Sequence, residues 1–159
     1  MKYVKEFEVR WSDVDANRHM GNSAFINFGA HTRMHYLMQM GFDHRFLARN
    51  QVGPVVFYEN ICYFKEVMPG QKLRVSFEIK GFSKDCMFFE FHHNFYDEKG
   101  NHVALCELMG GWFSLETRKL ITMNEEMLAK IHSLEKEADF RWLTKEDTRK
   151  HAKRPQNLV

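Results

Sequence analysis

The chain has 159 residues, of which 44% are apolar, and a formal net charge of +2. This length suits one domain with one continuous core, and the composition indicates neither disorder nor a membrane protein. The small net charge argues against a dedicated nucleic-acid binder, and no apolar run approaches the roughly 20 residues of a membrane-spanning helix.

The chain opens with a predicted strand at residues 2–11, followed by a polar turn at residues 12–21. Apolar residues alternate along the strand, as expected where one face is buried, and they comprise Tyr3, Phe7, Val9 and Trp11.

A long helix is predicted next. Asn22 or Ser23 can cap it, because either side-chain oxygen can accept a hydrogen bond from a free N–H of the first turn. The helix runs to about Met40, where Gly41 stops it. Apolar residues cover nearly every direction around this helix, so we expect burial on most of its sides.

Four further strands are predicted at residues 54–66, 72–83, 86–97 and 102–116. Gly110-Gly111 inside the last strand suggests a bulge or sharp curvature. An amphipathic helix capped by Asn124 follows at residues 124–138. We take residues 1–140 as the folded domain and residues 141–159 as a charged C-terminal tail.

This order of elements predicts an α+β protein. A five-stranded antiparallel sheet could bury the long helix by curling around it, with a second helix at the C-terminal end. That is the hotdog arrangement, although other α+β folds share the same order of elements.

Three cysteines at wide spacing form no disulfide framework. We interpret Cys62, Cys86 and Cys106 as buried, reduced thiols in a reducing compartment. No signal peptide is visible, so we expect a cytoplasmic protein.

The turn before the long helix holds the most informative residues. Asp13-Val14-Asp15-Ala16-Asn17-Arg18-His19-Met20-Gly21-Asn22 places two carboxylates, a histidine and two carboxamides within ten residues. On composition alone, a polar turn with a helix cap explains the segment equally well.

The segment resembles the first motif of the 4-hydroxybenzoyl-CoA thioesterase family and its acyl-CoA and acyl-ACP thioesterase relatives. The acyl-ACP enzymes carry the pattern D-x-D-x-N-x-H-x-N-N, and this chain matches it except that Gly21 replaces the first of the paired asparagines. The similarity extends more loosely to about Leu120. It implies a hotdog enzyme that hydrolyses an acyl-CoA or acyl-ACP to free acid and thiol.

By this resemblance, Asp15 is the catalytic carboxylate, acting on water as a general base or attacking the carbonyl itself. The oxyanion would be met by backbone N–H groups of Asn22 and Ser23, which lack intrahelical partners at the positive end of the helix dipole.

Asn17 and His19 match residues that flank the active site in the acyl-ACP enzymes. Asn17 could hold the water or orient Asp15, and His19 could move a proton or bond the carbonyl. Both side chains could equally stabilise the turn, whereas Asp13 is better explained as a structural carboxylate.

Substrate contacts are expected further along the chain. In the family the strand that carries Glu59 and Asn60 runs beside the acyl pocket, so one of them is expected to face it, unless they mark a bulge or an edge. Arg118 and Lys119 are candidates for the coenzyme A phosphates by family position, with Lys65, Arg74 and Lys84 as others. A solvated surface also accounts for these cations.

No metal site and no separate cofactor are expected, since coenzyme A is part of the substrate. His31 and His35 have a metal-pair spacing, but the glutamate of H-E-x-x-H is absent. One of these histidines is better explained as lining the acyl pocket.

Two alternatives to a thioesterase remain. A hotdog hydratase or dehydratase would carry a run such as G-D-x-N-P-x-H, which this sequence lacks. A non-catalytic acyl-thioester-binding module would not need Asp15. The resemblance also implies a homodimer or homotetramer with sites across a subunit boundary, and an unpaired sheet edge would favour such association.

Overall fold

A computed structural model describes residues 3–151 and 153–158 of the chain. Within them the elements follow in the order β1 (Tyr3–Glu8), a 3₁₀ turn (Trp11–Asp13), α1 (Asn22–Gln39), α2 (His44–Arg49), β2 (Val52–Tyr63), β3 (Lys72–Ser83), β4 (Phe88–Asp97), β5 (His102–Ser114), α3 (Glu125–Ser133), β6 (Arg141–Leu143) and a second 3₁₀ turn (Asp147–Arg149). Residues 1, 2, 152 and 159, which fall in the predicted first strand, domain and tail, lie outside the described residues.

Five antiparallel strands form one sheet in the order β1-β3-β4-β5-β2. Helix α1 packs against one face of this sheet, and its buried residues share cores with residues of β3, β4 and β5. The predicted α+β hotdog arrangement is therefore confirmed. None of the helices in the described ranges is long and apolar enough to span a membrane.

A sixth strand, β6, was not predicted. It pairs in parallel with Gly81–Ser83 at the end of β3, beyond the stretch of β3 that pairs with β1. Leu143 of β6 is 4% exposed, and Arg141 pairs with Glu90 at 2.6 Å. The beginning of the predicted tail is thus part of the sheet.

Helix α1 begins at Asn22, but its N-cap is Gly21, and no side chain caps it. The prediction that Asn22 or Ser23 would be the cap is therefore wrong by one or two residues. One side of α1 is also open to solvent rather than buried, since Ile26 and Met38 are 40% and 46% exposed. The sheet of a single chain covers only part of the helix.

The predicted irregularity near Gly110-Gly111 lies on the neighbouring strand. Phe57 of β2 is the extra residue, because Val56 pairs with Gly110 and Tyr58 pairs with Met109. A Cβ on Gly110 would lie 2.4 Å from the Val55 carbonyl oxygen, so only glycine allows β2 to approach here.

Candidate active site

Backbone hydrogen bonds shape the turn between β1 and α1 around Asp15, and one of them reaches its carboxylate. The Asn17 N–H donates to Asp15 Oδ1 at 2.8 Å, and the Asp15 N–H donates to the His19 carbonyl at 3.0 Å. The Arg18 N–H closes the turn onto the Asp15 carbonyl at 3.0 Å, with Arg18 in the left-handed region at φ 66°. The main chain around Asp15 therefore fixes one oxygen of its carboxylate.

Asp15 packs against Gly21, the residue immediately before helix α1. A Cβ built on Gly21 would lie 3.4 Å from Asp15 Cβ and 3.8 Å from Asp15 Oδ2. Among the described residues, the N–H groups of Asn22 and Ser23 have no hydrogen-bond partner, whereas the Ala24 N–H donates to the Gly21 carbonyl at 3.0 Å. A carboxylate thus stands beside an open, positively polarised helix end.

A cleft of about 410 Å³ opens at this place. One wall comes from the turn and α1, and the other from the end of β2 and the residues after it. The lining residues are Asp15, His19, Met20, Asn22, Phe25, Tyr63, Phe64, Lys65 and Glu66. Apolar and aromatic side chains surround a few polar groups, as is usual for a site that binds a small molecule.

Two of the predicted catalytic side chains, Asp15 and His19, line the cleft together. His19 Nδ1 lies 3.3 Å from the Met20 carbonyl oxygen, which can only accept, so Nδ1 is the donor of this hydrogen bond. Asn17 contacts Asp15 through its backbone N–H, while its carboxamide is exposed and outside the cleft lining.

Asp13, the first carboxylate of the motif, pairs with Arg10 and does not line the cleft. Asp13 accepts hydrogen bonds from Arg10 Nη2 at 2.8 Å and from Arg10 Nε at 3.0 Å. These bonds lower the pKa of the Asp13 carboxyl, which is thereby kept ionised and paired. This is the structural position that the sequence predicts for Asp13.

Glu59 and Asn60 lie on β2 and point to opposite sides. Glu59 is half-buried, with Oε1 4.0 Å from Arg33 Nη1, whereas Asn60 is exposed. Neither lines the Asp15 cleft. Arg33 in turn bonds His93 Nε2 at 3.2 Å, so Glu59 belongs to a polar contact between α1 and the sheet.

Arg118 and Lys119 lie beyond the far end of β5. That strand starts beside Tyr63 and ends beside Val52, so the cleft and these cations are at opposite ends of it. At about 3.3 Å per residue, the stretch from Ala104 to Ser114 spans roughly 30 Å. Arg118 packs 4.7 Å from the Phe113 ring centroid and does not reach the cleft of its own chain.

Three lining residues, Tyr63, Phe64 and Glu66, are not among the predicted site residues, whereas Lys65 is one of the candidate cations for coenzyme A. Lys65 Nζ pairs with Asp97 at 3.3 Å and is half-exposed at the cleft. These residues form the Tyr-Phe-Lys-Glu end of the strand predicted at residues 54–66, where aromatic and charged side chains adjoin. The Met20 N–H donates to the Val67 carbonyl at 2.8 Å, and this contact between residues far apart in the sequence brings that end beside the turn.

His31 and His35 do not line the Asp15 cleft, and a place for one of them in the acyl pocket stays a prediction. They face β1, where Tyr3 bonds His35 and Phe7 lies 5.7 Å from the His31 ring. Across the described part of the chain, no three His, Cys, Asp or Glu side chains are grouped to hold a metal ion.

All three cysteines are free, but Cys62 is exposed rather than buried as predicted. Burial raises the pKa of Cys106 to about 12 and that of Cys86 to about 11, so neither is a thiolate near neutral pH.

Comparison with known proteins gives one family match. Residues 9–131 match the family model of the thioesterase-like superfamily. No curated protein sequence matches the chain.

Similar solved structures share the fold at low sequence identity. The hypothetical protein SAV2348 from Staphylococcus aureus, solved in complex with CoA, is 15% identical, with a TM-score of 0.77 over 95% of this chain and 93% of that one. The 1,4-dihydroxy-2-naphthoyl-CoA thioesterase Slr0204 from Synechocystis is 15% identical, with a TM-score of 0.73 over 84% and 98%. The DHNA-CoA thioesterase from S. aureus is 17% identical, with a TM-score of 0.73 over 84% and 92%.

Proposed function

Because this chain belongs to the thioesterase-like superfamily of thioester hydrolases, we propose that it cleaves an acyl-CoA or acyl-ACP with Asp15 as the catalytic carboxylate. The observation that carries this proposal is the position of Asp15, in a cleft and against the open N-terminus of α1. The turn and the first residues of α1 then supply both groups that the reaction needs: the Asp15 carboxylate and the N–H donors for the oxyanion.

The reaction needs an oxygen that attacks the thioester carbon. Asp15 Oδ1 is engaged by the Asn17 N–H, so Oδ2 is the oxygen available to take a proton from water or to attack the carbon itself. In the general-base route the water oxygen bonds to the carbonyl carbon while its proton passes to Asp15. A positioned acid or base typically contributes about 10²–10⁴ in rate.

Negative charge then develops on the carbonyl oxygen. The N–H groups of Asn22 and Ser23 stabilise this charge by donating hydrogen bonds to the oxygen. They have no other partner among the described residues and lie at the positive end of α1. Collapse of the intermediate breaks the carbon–sulfur bond and expels the thiolate, which takes up the proton that Asp15 accepted from water. His19 lines the same cleft and can hydrogen-bond the leaving group or pass the proton.

The thiol product, coenzyme A or the acyl carrier protein, leaves through the opening of the Asp15 cleft. Lys65 at the cleft is the cation best placed to meet a phosphate of coenzyme A or of the carrier arm. Arg118 and Lys119 contribute only if a partner subunit brings them to the cleft of its neighbour. We therefore propose a homodimer or homotetramer in which these residues, and Glu59 with Asn60, serve sites built by two chains.

A thiol-release assay tests the proposal. Wild-type protein is mixed with a panel of acyl-CoA and acyl-ACP thioesters, and free thiol is read with a thiol reagent. We expect release from at least one thioester well above the buffer rate. Tight binding of acyl-CoA without release from any member of the panel would favour the non-catalytic binding module instead.

A further inference from the structure

A second and more enclosed cavity lies between α1, β2 and the sheet, away from the Asp15 cleft. It measures about 90 Å³, and we call it the Trp112 cavity. One water needs roughly 10–15 Å³, so the cavity admits a few heavy atoms but not a whole acyl group. Its walls are apolar side chains of α1, β2 and β4, such as Leu37, Pro54 and Phe91, together with Arg33 and Trp112.

Trp112 leaves a buried donor without a partner. The residue is 2% exposed, and its indole Nε1 finds no hydrogen-bond partner among the described residues. The ring is fixed by stacking on Phe42 at 5.9 Å and by an edge contact with Phe89 at 5.8 Å. A buried N–H without a partner is costly and uncommon, so a group that accepts from it would bind with a clear gain.

Arg33 supplies the other polar wall and is held in place. His93 Nδ1 donates to the Ser76 carbonyl at 2.8 Å, which leaves Nε2 to accept from Arg33 Nη1 at 3.2 Å. The Glu59 carboxylate lies 4.0 Å from the same Nη1. The contacts of Arg33 found in the described residues all involve Nη1, so the rest of its guanidinium edge remains available as a donor.

The side chains that line the cavity therefore offer hydrogen-bond donors but no acceptors. Arginine and tryptophan side chains donate hydrogen bonds and accept none. The other lining side chains are apolar. A matching group carries an oxygen acceptor on an otherwise apolar body, whereas a plain hydrocarbon end would leave the indole N–H unpaired.

The cavity and the cleft lie along the same contact between α1 and β2. Phe25 meets Tyr63 at the cleft with ring centroids 5.2 Å apart, and further along α1 Arg33 meets Glu59. At about 1.5 Å per helical residue, Asn22 and Arg33 are roughly 16 Å apart. With carbon–carbon bonds of about 1.5 Å in a zigzag, that span corresponds to on the order of a dozen carbons.

We propose that the Trp112 cavity binds an oxygen acceptor near the far end of the acyl chain, which makes the preferred substrate a thioester of an ω-oxygenated aliphatic acid. This proposal rests on the proposed thioesterase function and adds its acyl specificity. Trp112 is the specificity-determining residue, whose N–H donates to the distal oxygen; Arg33 forms the polar wall of the cavity, and neither residue takes part in the bond cleavage.

A matched substrate pair tests the specificity. We expect the wild-type kcat/KM for 12-hydroxydodecanoyl-CoA to exceed that for dodecanoyl-CoA by roughly tenfold, the value of one hydrogen bond to an unpaired donor. In Trp112→Phe, which keeps an aromatic ring but lacks the N–H, the ratio should fall to near one. The control Trp142→Phe, on the exposed tail strand, should leave the ratio unchanged.

The ω-carboxyl analogue, dodecanedioyl-CoA, separates a neutral from an anionic acceptor. A preference for either oxygenated substrate that disappears in Trp112→Phe supports the proposal. Equal rates on all three thioesters, or a preference that survives in Trp112→Phe, would overturn it while leaving the thioesterase function intact. Failure of wild-type protein to cleave any thioester counts against the proposed function instead.

A measurement on wild-type protein covers the case in which Trp112→Phe does not fold. The indole N–H resonances of protein labelled with ¹⁵N-tryptophan are followed during titration with 12-hydroxydodecanoate or dodecanoate. We expect only the hydroxylated acid to shift the Trp112 N–H resonance downfield. Identical responses to the two acids would contradict a hydrogen bond at this site.

Discussion

Two aspartates two residues apart in the sequence have different surroundings. Asp13 is neutralised by the Arg10 guanidinium, while the Asp15 carboxylate accepts one hydrogen bond, from the Asn17 N–H, and Asp15 lines the cleft. Spacing in the motif predicts that both carboxylates lie in one turn. The difference between them depends on Arg10, which ends the extended segment before the turn and folds back onto Asp13.

His93 is the residue whose protonation state matters most for the core. It is fully buried beneath Gly29 of α1, and burial, reinforced by the nearby Arg33 charge, lowers the pKa of its imidazole to about 3.

This buried histidine predicts a stability that depends on pH. Its folded pKa of about 3 lies below the unfolded value of roughly 6.5, so between these values the unfolded chain binds the extra proton. The stability is complete above about pH 6.5 and is lost as the pH falls towards 3. We expect the free energy of unfolding of His93→Gln, measured by urea denaturation, to change less with pH across this window, by up to about 1.4 kcal/mol per pH unit. Parallel curves for the two proteins would contradict a neutral buried His93.

At the scale of elements, alternation and turn residues predicted the strands well. The strand at residues 72–83 has the predicted bounds, and Leu73, Val75, Phe77 and Ile79 all face the core. The alternation fails at Trp11, which is 89% exposed because the chain leaves the strand after Glu8 and turns. Local pattern does not reveal where pairing with β3 stops.

Other elements depend on partners that a local pattern does not show. Helix α2 has only six residues and is capped by Asp43, whose side chain accepts from the Phe46 N–H at 2.8 Å. Strand β6 exists because Gly81 lets the chain approach, since a Cβ there would lie 2.7 Å from Leu143 Cδ2. The walls of the cleft likewise meet through a long-range contact, the hydrogen bond from the Met20 N–H to the Val67 carbonyl at 2.8 Å.

The approach of β2 to β5 gives a prediction about packing. In Gly110→Ala the new methyl would meet the Val55 carbonyl and the Phe89 ring, both inside a closed core, so we expect the free energy of unfolding to fall by about 1–3 kcal/mol. Gly53→Ala in β2 is the control, because its methyl would meet only side-chain atoms of Leu115 and Phe113 at 3.2 Å. We expect less than half the loss there. Equal losses in urea denaturation would show that the close approach is unimportant.

At the scale of the whole molecule, helix α1 and strand β2, which contact each other, both carry exposed apolar side chains. On β2, Val56 and Phe57 are 39% and 37% exposed, and on α1, Ile26 and Met38 are similarly open. Strand β2 is also an edge of the sheet. An unpaired edge beside exposed apolar groups favours association with a second copy.

We therefore expect a molecular mass in solution of at least twice the 19.0 kDa of one chain. Phe57→Lys should shift the protein towards monomer in sedimentation equilibrium, because a symmetric interface would bring two new charges together. Leu158→Lys, at a fully exposed position near the C-terminus, should leave the mass unchanged. A wild-type protein that sediments as a monomer would argue against sites shared between subunits.

We propose that the Asp15 carboxylate performs thioester hydrolysis at the amino end of α1. The most direct test is kcat/KM for Asp15→Asn on a thioester that the wild-type protein cleaves, with Asp13→Asn as the matched control. An amide at position 15 can still accept from the Asn17 N–H but can neither take a proton from water nor attack the carbonyl. We predict a loss of roughly 10²–10⁴ for Asp15→Asn, with folding and mass unchanged, and a far smaller loss for Asp13→Asn. Wild-type turnover by a folded Asp15→Asn protein would contradict this account.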